Sequence, residues 1–143
     1  MFLIFLLSSS CDKEEYSWEI ETEERDNYIE DNNITTLPTA SGLYYIETLK
    51  GNGISPVPGD VVEVEYKGTF LDGKEFDSGT FSFTLGVRQV IRGWDEGIAL
   101  MKEGGQAVLI IPSTLGYGTQ GSNSGSISPY TTLLFEVELV DIR

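Results

Sequence analysis

The spacing of hydrophobic and polar positions changes along this chain, and each change marks an element. After an apolar opening, MFLIFLL, residues 14–33 are polar; Tyr16 and Ile20 share a helical face, but later apolar residues drift off it. This stretch reads as an acidic tether or weak helix, broken by Asn32-Asn33 and Leu37-Pro38. GLYYIETLKGNG (42–53) reads as a strand closed by a glycine turn. In VVEVEYKGTF (61–70), Val62, Val64 and Tyr66 alternate with Glu63, Glu65 and Lys67, as in a half-buried antiparallel strand. Asp72-Gly73 signals a hairpin. KEFDSG then reads as a strand running into a turn, and FSFTLG (81–86) alternates again.

The period then becomes helical. Trp94, Ile98 and Met101 share one face, with Trp94 opening the helix, Asp95 and Glu96 in its first turn, and Gly104-Gly105 as its stop. QAVLIIP (106–112) is a strand ended by Pro112. In TLLFEVELVDI (132–142), Leu133, Phe135, Val137 and Leu139 oppose Leu134, Glu136 and Glu138. TQGSNSGSIS (119–128) is a polar loop. The expected class is α+β: an antiparallel curved sheet of about five strands wrapped around one short helix.

Composition narrows the chemistry. The 143 residues allow one domain plus appendages. A net charge of −14 disfavours nucleic acid and anionic membrane surfaces as partners. Residues 1–33 alone carry ten acidic and two basic residues, so the acidic bias is strongest there. Histidine is absent, which removes histidine acid/base catalysis and histidine metal ligation. Cys11 stands alone and forms no internal disulfide. No cofactor and no metal are expected.

Four separated motifs, in order, carry a specific resemblance: FDSG (76–79), VIRGWDEGI (90–98), LGYG (115–118) and TLLFEVEL (132–139). Over roughly residues 42–143 the chain resembles the FKBP-type peptidyl-prolyl cis/trans isomerases. The resemblance implies a pocket with Trp94 as the floor under a proline ring. Tyr66, Phe76, Phe81, Val90, Ile91 and Phe135 would be its walls, and Ile127 would close the rim. Tyr117 and the Ile91 N–H would donate to substrate carbonyls, and Asp77 would be the family's inward carboxylate. The residues themselves leave other readings open. Phe76, Phe81 and Phe135 alternate in strands, as core residues do, and Asp77 precedes Ser78-Gly79, as a turn residue does.

Two departures from the family pattern stand out. The segment after FDSG is short and holds no Arg or Lys between Asp77 and Gly86, so the basic partner of the carboxylate is missing. Ser128 replaces the proline after the rim isoleucine. The resemblance implies proline-containing polypeptide clients, macrolide inhibitors such as tacrolimus, and a monomer. The alternative is a non-catalytic module that holds a Pro-containing segment in an envelope complex for gliding or secretion.

Such an activity needs no nucleophile. Rotation about a peptide bond has a barrier of about 18–20 kcal/mol, set by partial double-bond character. Twisting removes that character and leaves the oxygen less polar. A dry aromatic site therefore favours the twisted amide over the planar one, and a thousandfold acceleration requires only about 4 kcal/mol.

The N-terminus adds a location. Residues 1–10 read as a signal peptide too short to span a bilayer. Ser8-Ser9-Ser10-Cys11 resembles a bacterial lipobox, with Cys11 as the lipidation site. Asp12-Lys13-Glu14-Glu15 resembles the acidic export tether of some surface lipoproteins, and a solvated linker has the same composition. The expected order is signal peptide 1–10, acidic tether or weak helix 11–41, and isomerase domain 42–143, with a lipid anchor as the only membrane attachment.

Overall fold

The computed structural model describes residues 17–143. The expected signal peptide and Cys11 lie outside the described residues. The elements are α1 (Trp18–Asp31), β1 (Tyr44–Leu49), β2 (Val61–Thr69), β3 (Glu75–Thr84), α2 (Arg92–Ala99), β4 (Gln106–Ile111) and β5 (Leu133–Ile142). A 3-10 turn, Ser113–Leu115, follows β4. The strands form one five-stranded sheet in the order β1-β4-β5-β2-β3. Every neighbouring pair is antiparallel. This is the α+β curved sheet that the alternation predicts.

The alternating strands put their apolar sides on one face. Val62 and Val64 of β2, and Leu133 and Leu139 of β5, are 0% exposed. Glu136, between buried Phe135 and Val137, stays exposed. The helix α2 covers that face and buries Trp94 and Ile98. It lies very close to β4. A Cβ on Gly93 would sit 2.6 Å from Ile111 Cγ2, and one on Gly97 would sit 2.8 Å from Leu109 Cδ1. Both helix glycines are therefore required by space.

Three local expectations change. FDSG does not end a strand: β3 runs unbroken for 10 residues, because β2 offers a partner from Val61 opposite Thr84 to Thr69 opposite Glu75. Gly79 is absorbed into that ladder opposite Tyr66, and the irregularity falls at Gly68/Thr69 instead. The central helix begins at Arg92, so Trp94 lies within its first turn rather than opening it.

The third change is α1. The acidic stretch forms a 14-residue helix capped by Ser17, whose side chain accepts from the Ile20 N–H at 3.2 Å. It is anchored to the domain. Trp18 meets Tyr130 edge-on at 4.7 Å, and Glu21, only 3% exposed, is hydrogen bonded to Ser113 and Thr132. Its hold is thus a few specific contacts rather than an apolar stripe.

Gly93→Ala tests the helix–sheet spacing. The new methyl meets three atoms of Ile111, a side chain that is 0% exposed and cannot swing away. Overpacking of this kind costs about 1–3 kcal/mol, against a helix-propensity gain of at most about 1. A net loss read as a lowered urea midpoint is expected; an unchanged midpoint would show that the spacing can relax.

Candidate active site

One cavity of about 280 Å³ gathers the aromatic residues singled out in the sequence. Strand β2 contributes Tyr66, and β3 contributes Phe76, Asp77 and Phe81. The segment between β3 and α2 adds Gln89, Val90 and Ile91; α2 adds Trp94. Tyr117 comes from the β4–β5 connection and Phe135 from β5. Three larger concavities among the described residues, about 780, 940 and 570 Å³, lie on the polar face of the sheet and along α1. Charged and polar side chains line much of each, so none is an aromatic chamber.

The rings pack around the indole, mostly edge-on. Trp94 meets Tyr66 edge-on at 5.1 Å and Phe135 edge-on at 5.3 Å, with Phe83 tilted at 5.7 Å. Phe76 meets Phe135 edge-on at 5.5 Å. These distances are in the favourable range for aromatic pairs. Gly68 makes the arrangement possible, since a Cβ there would lie 2.7 Å from both Phe135 Cε1 and Phe76 Cζ.

Trp94 is 5% exposed, and its indole Nε1–H is buried without a hydrogen-bond partner among the described residues. An unsatisfied buried donor costs about 1–3 kcal/mol, and Phe or Leu would fill a plain core without that cost. The indole thus lines the cavity with a donor that the described residues leave unpaired, which core packing alone does not require.

Asp77 is paired, but with a phenol. Tyr66 donates its hydroxyl hydrogen to Asp77 Oδ2 at 2.9 Å. Among the described residues Asp77 forms no ion pair, in keeping with the missing basic residue. Burial raises the Tyr66 pKa above its ordinary 10.0, and the hydrogen bond to Asp77, its charge and the nearby Tyr117 raise it further. Tyr66 is thus held as a neutral donor.

The lip is built from loops. Tyr117, 40% exposed, stands between Gly116 and Gly118, whose N–H groups both donate to the Ser113 carbonyl at 2.9 Å. The Ile91 carbonyl accepts from Trp94 N at 3.0 Å and Asp95 N at 3.3 Å, which fixes that peptide against the helix start. Phe81 is 47% exposed and stacks on Phe83 at 6.0 Å. Ile127, expected at the rim, is 5% exposed and belongs to the core cluster; it does not line this cavity.

Two contributors were not singled out in the sequence. Gln89 lines the cavity and accepts from Thr84 N at 2.9 Å. Loop positions have no period, so nothing in the sequence marked it. Asp95 accepts from Gly86 N at 2.8 Å and Arg88 N at 3.1 Å, holding the segment that leads to Val90 and Ile91. Its place in the first helical turn was legible, but its cross-loop bonds were not.

Comparison with known proteins gives the chain a family. The sequence model of the family described as "FKBP-type peptidyl-prolyl cis-trans isomerase" matches residues 53–140. The chain is 49% identical over 110 residues to FK506-binding protein 4 of Dictyostelium discoideum, covering 75% of this chain but only 29% of that protein. It is 45% identical over 106 residues to an FK506-binding protein of Neisseria meningitidis serogroup B, covering 71% of this chain and 96% of that one. The crystal structure of FkpA from Escherichia coli superposes with a TM-score of 0.79 at 34% identity, covering 95% of this chain and 64% of that chain.

The Tyr66–Asp77 pair makes stability depend on alkaline pH. A phenol whose folded pKa is raised contributes stability that is whole below its unfolded value of 10.0 and is lost as pH rises through the folded value. Urea midpoints measured upward from pH 10 should therefore fall more steeply for the wild type than for Tyr66→Phe. Parallel profiles would mean that Tyr66 ionises as freely as an exposed tyrosine.

Proposed function

Because the chain belongs to the FKBP-type peptidyl-prolyl cis-trans isomerase family, we propose that the aromatic cavity isomerises X–Pro bonds. The observation that carries this is the Trp94 face, kept at the bottom of an aromatic chamber at the expense of a buried donor. In this reading the proline ring lies over the indole, between Tyr66, Phe76 and Phe135. Val90, Ile91 and Phe81 take the residues beside it. The Tyr117 hydroxyl and the Ile91 N–H orient the flanking carbonyls. Asp77 and Tyr66 supply polarity at the exposed edge, where the amide nitrogen pyramidalises. Water exclusion from the planar amide lowers the barrier, and no proton is transferred.

Residues 17–143 should accelerate cis-to-trans conversion of a Leu-Pro peptide. A Glu-Pro peptide would bury a carboxylate against apolar walls in a cavity that no basic residue lines. Its kcat/KM should be lower by about tenfold or more, that is about 1.4 kcal/mol. Salt should close only part of that gap, because desolvation is not screened. Uncatalysed rates at micromolar protein would favour the second reading, a non-catalytic Pro-segment binder of an envelope complex. The carboxylate lacking a basic partner is the observation on that side. The same cavity would accept macrolides such as tacrolimus, and no oligomer is needed to complete it.

We further propose a lipid-anchored envelope location for folding exported proteins. The apolar opening, the three serines and Cys11 support it. Among the described residues no helix is long and apolar enough to cross a membrane. Labelled palmitate should enter the full chain in a bacterial host and be lost in Cys11→Ser. Equal labelling of both would remove the anchor.

A further inference from the structure

The β4–β5 connection carries Tyr117, and α1, which lies outside the family match at 53–140, grips both of its ends. The grip is one carboxylate. Glu21 Oε2 accepts from the Ser113 N–H at 2.8 Å, and Oε1 accepts from the Ser113 hydroxyl at 2.6 Å. Oε2 also accepts from the Thr132 hydroxyl at 2.8 Å and from Arg25 Nη1 at 3.2 Å. Arg25 Nη1 in turn donates to Thr132 Oγ1 at 2.9 Å. Ser113 follows Pro112 at the end of β4, and Thr132 immediately precedes β5. One side chain therefore ties together the two stems of the loop.

The tie reaches Tyr117 in one step. The Ser113 carbonyl accepts from Gly116 N and Gly118 N, the residues on either side of Tyr117, at 2.9 Å each. Gly118 O then accepts from Tyr130 N at 3.0 Å, and Tyr130 packs on Trp18 of α1. Displacing Ser113 would thus displace the peptide units that aim the Tyr117 ring.

Stability alone is a poor reason for this arrangement. Glu21, Ser113 and Thr132 are 3%, 1% and 4% exposed. A buried ion pair is often no more stabilising than apolar residues of the same volume, because desolvation offsets the attraction. What a carboxylate with several donors does supply is fixed geometry among the groups it joins.

We propose that Glu21 is a positioning residue for the active-site lip: it holds the stems of the β4–β5 connection so that the Tyr117 hydroxyl faces the cavity. The proposal rests on the isomerase reading of that cavity. Arg25 completes the clamp by neutralising the carboxylate and reaching Thr132.

The test uses residues 17–143 with Glu21→Ala, the shape-preserving Glu21→Gln, Tyr117→Phe and the double variant Glu21→Ala/Tyr117→Phe. All are assayed at a temperature where circular dichroism shows each folded. Backbone amide exchange at Gly116 and Gly118 should speed about tenfold in Glu21→Ala while amides of β2 and β5 keep their rates. KM for a Leu-Pro peptide should rise about fivefold with kcat within about twofold, and Glu21→Gln should fall between that and wild type. In the Tyr117→Phe background the kinetic effect of Glu21→Ala should disappear, as for two residues acting on one contact. Unchanged exchange at Gly116 and Gly118 would overturn the proposal. So would a lowered melting temperature with wild-type kinetics, or kinetic effects that add in the double variant. A wild type with no activity would overturn the isomerase reading instead, and the exchange comparison would then decide the clamp by itself.

Discussion

The close approach of α2 to β4 is the constraint on which the site depends. At the spacing set by Gly93 over Ile111 and Gly97 over Leu109, the helix holds Trp94 within 5.1 to 5.7 Å of Tyr66, Phe135 and Phe83. A side chain at either glycine would push the helix outward and carry the indole away from its walls. An eight-residue helix has little stability of its own. It persists because the sheet buries its apolar face and because its start is tied down. The Ile91 carbonyl accepts from the first helical N–H groups, and Asp95 holds the backbone at Gly86 and Arg88. Helix position and loop position are therefore one constraint, and together they set the floor and the Val90–Ile91 side of the cavity.

In the isomerase reading proposed above, the distribution of polarity follows from the chemistry. A planar amide is destabilised relative to a twisted one only where water and strong donors are kept from its oxygen. The buried parts of the chamber are accordingly rings, and the polar groups stand at its edge. Tyr66, kept neutral by burial and by Asp77, presents no charge to the interior. Asp77 itself is exposed, so its charge remains solvated and is not aimed into a dry space. Its partner is the phenol of Tyr66, which donates at 2.9 Å from a side chain that also lines the cavity. Among the described residues the carboxylate therefore has a hydrogen-bond partner without an ion pair.

Much of this was legible in the sequence, and the part that was not has a common physical character. Period-2 alternation located β2 and β5 because each has one buried face. Helical spacing located α2 because Trp94, Ile98 and Met101 face the sheet. Nine of the site side chains named from motifs meet in one cavity. The failures are contacts that no local pattern contains. Ser78-Gly79 has turn chemistry, yet cross-strand pairing with Lys67 and Tyr66 carries β3 straight through. The family resemblance implied a rim place for Ile127, but the loop folds back. Its backbone bonds to Ser122 bring the side chain into the core.

The clearest case is α1. A helix without an apolar stripe looks unattached when only periodicity is read. Its attachment instead spans 92 residues from Glu21 to Ser113 and 111 residues to Thr132. In a chain with a net charge of −14, an acidic helix laid on an acidic domain should be repelled. Burying one of those carboxylates among three neutral donors, with Arg25 as a fourth, turns the repelled element into a held one. A boundary drawn at Gly42 separates that carboxylate from the loop stems it joins. If the loop aims Tyr117, the working unit begins before the family's own match does.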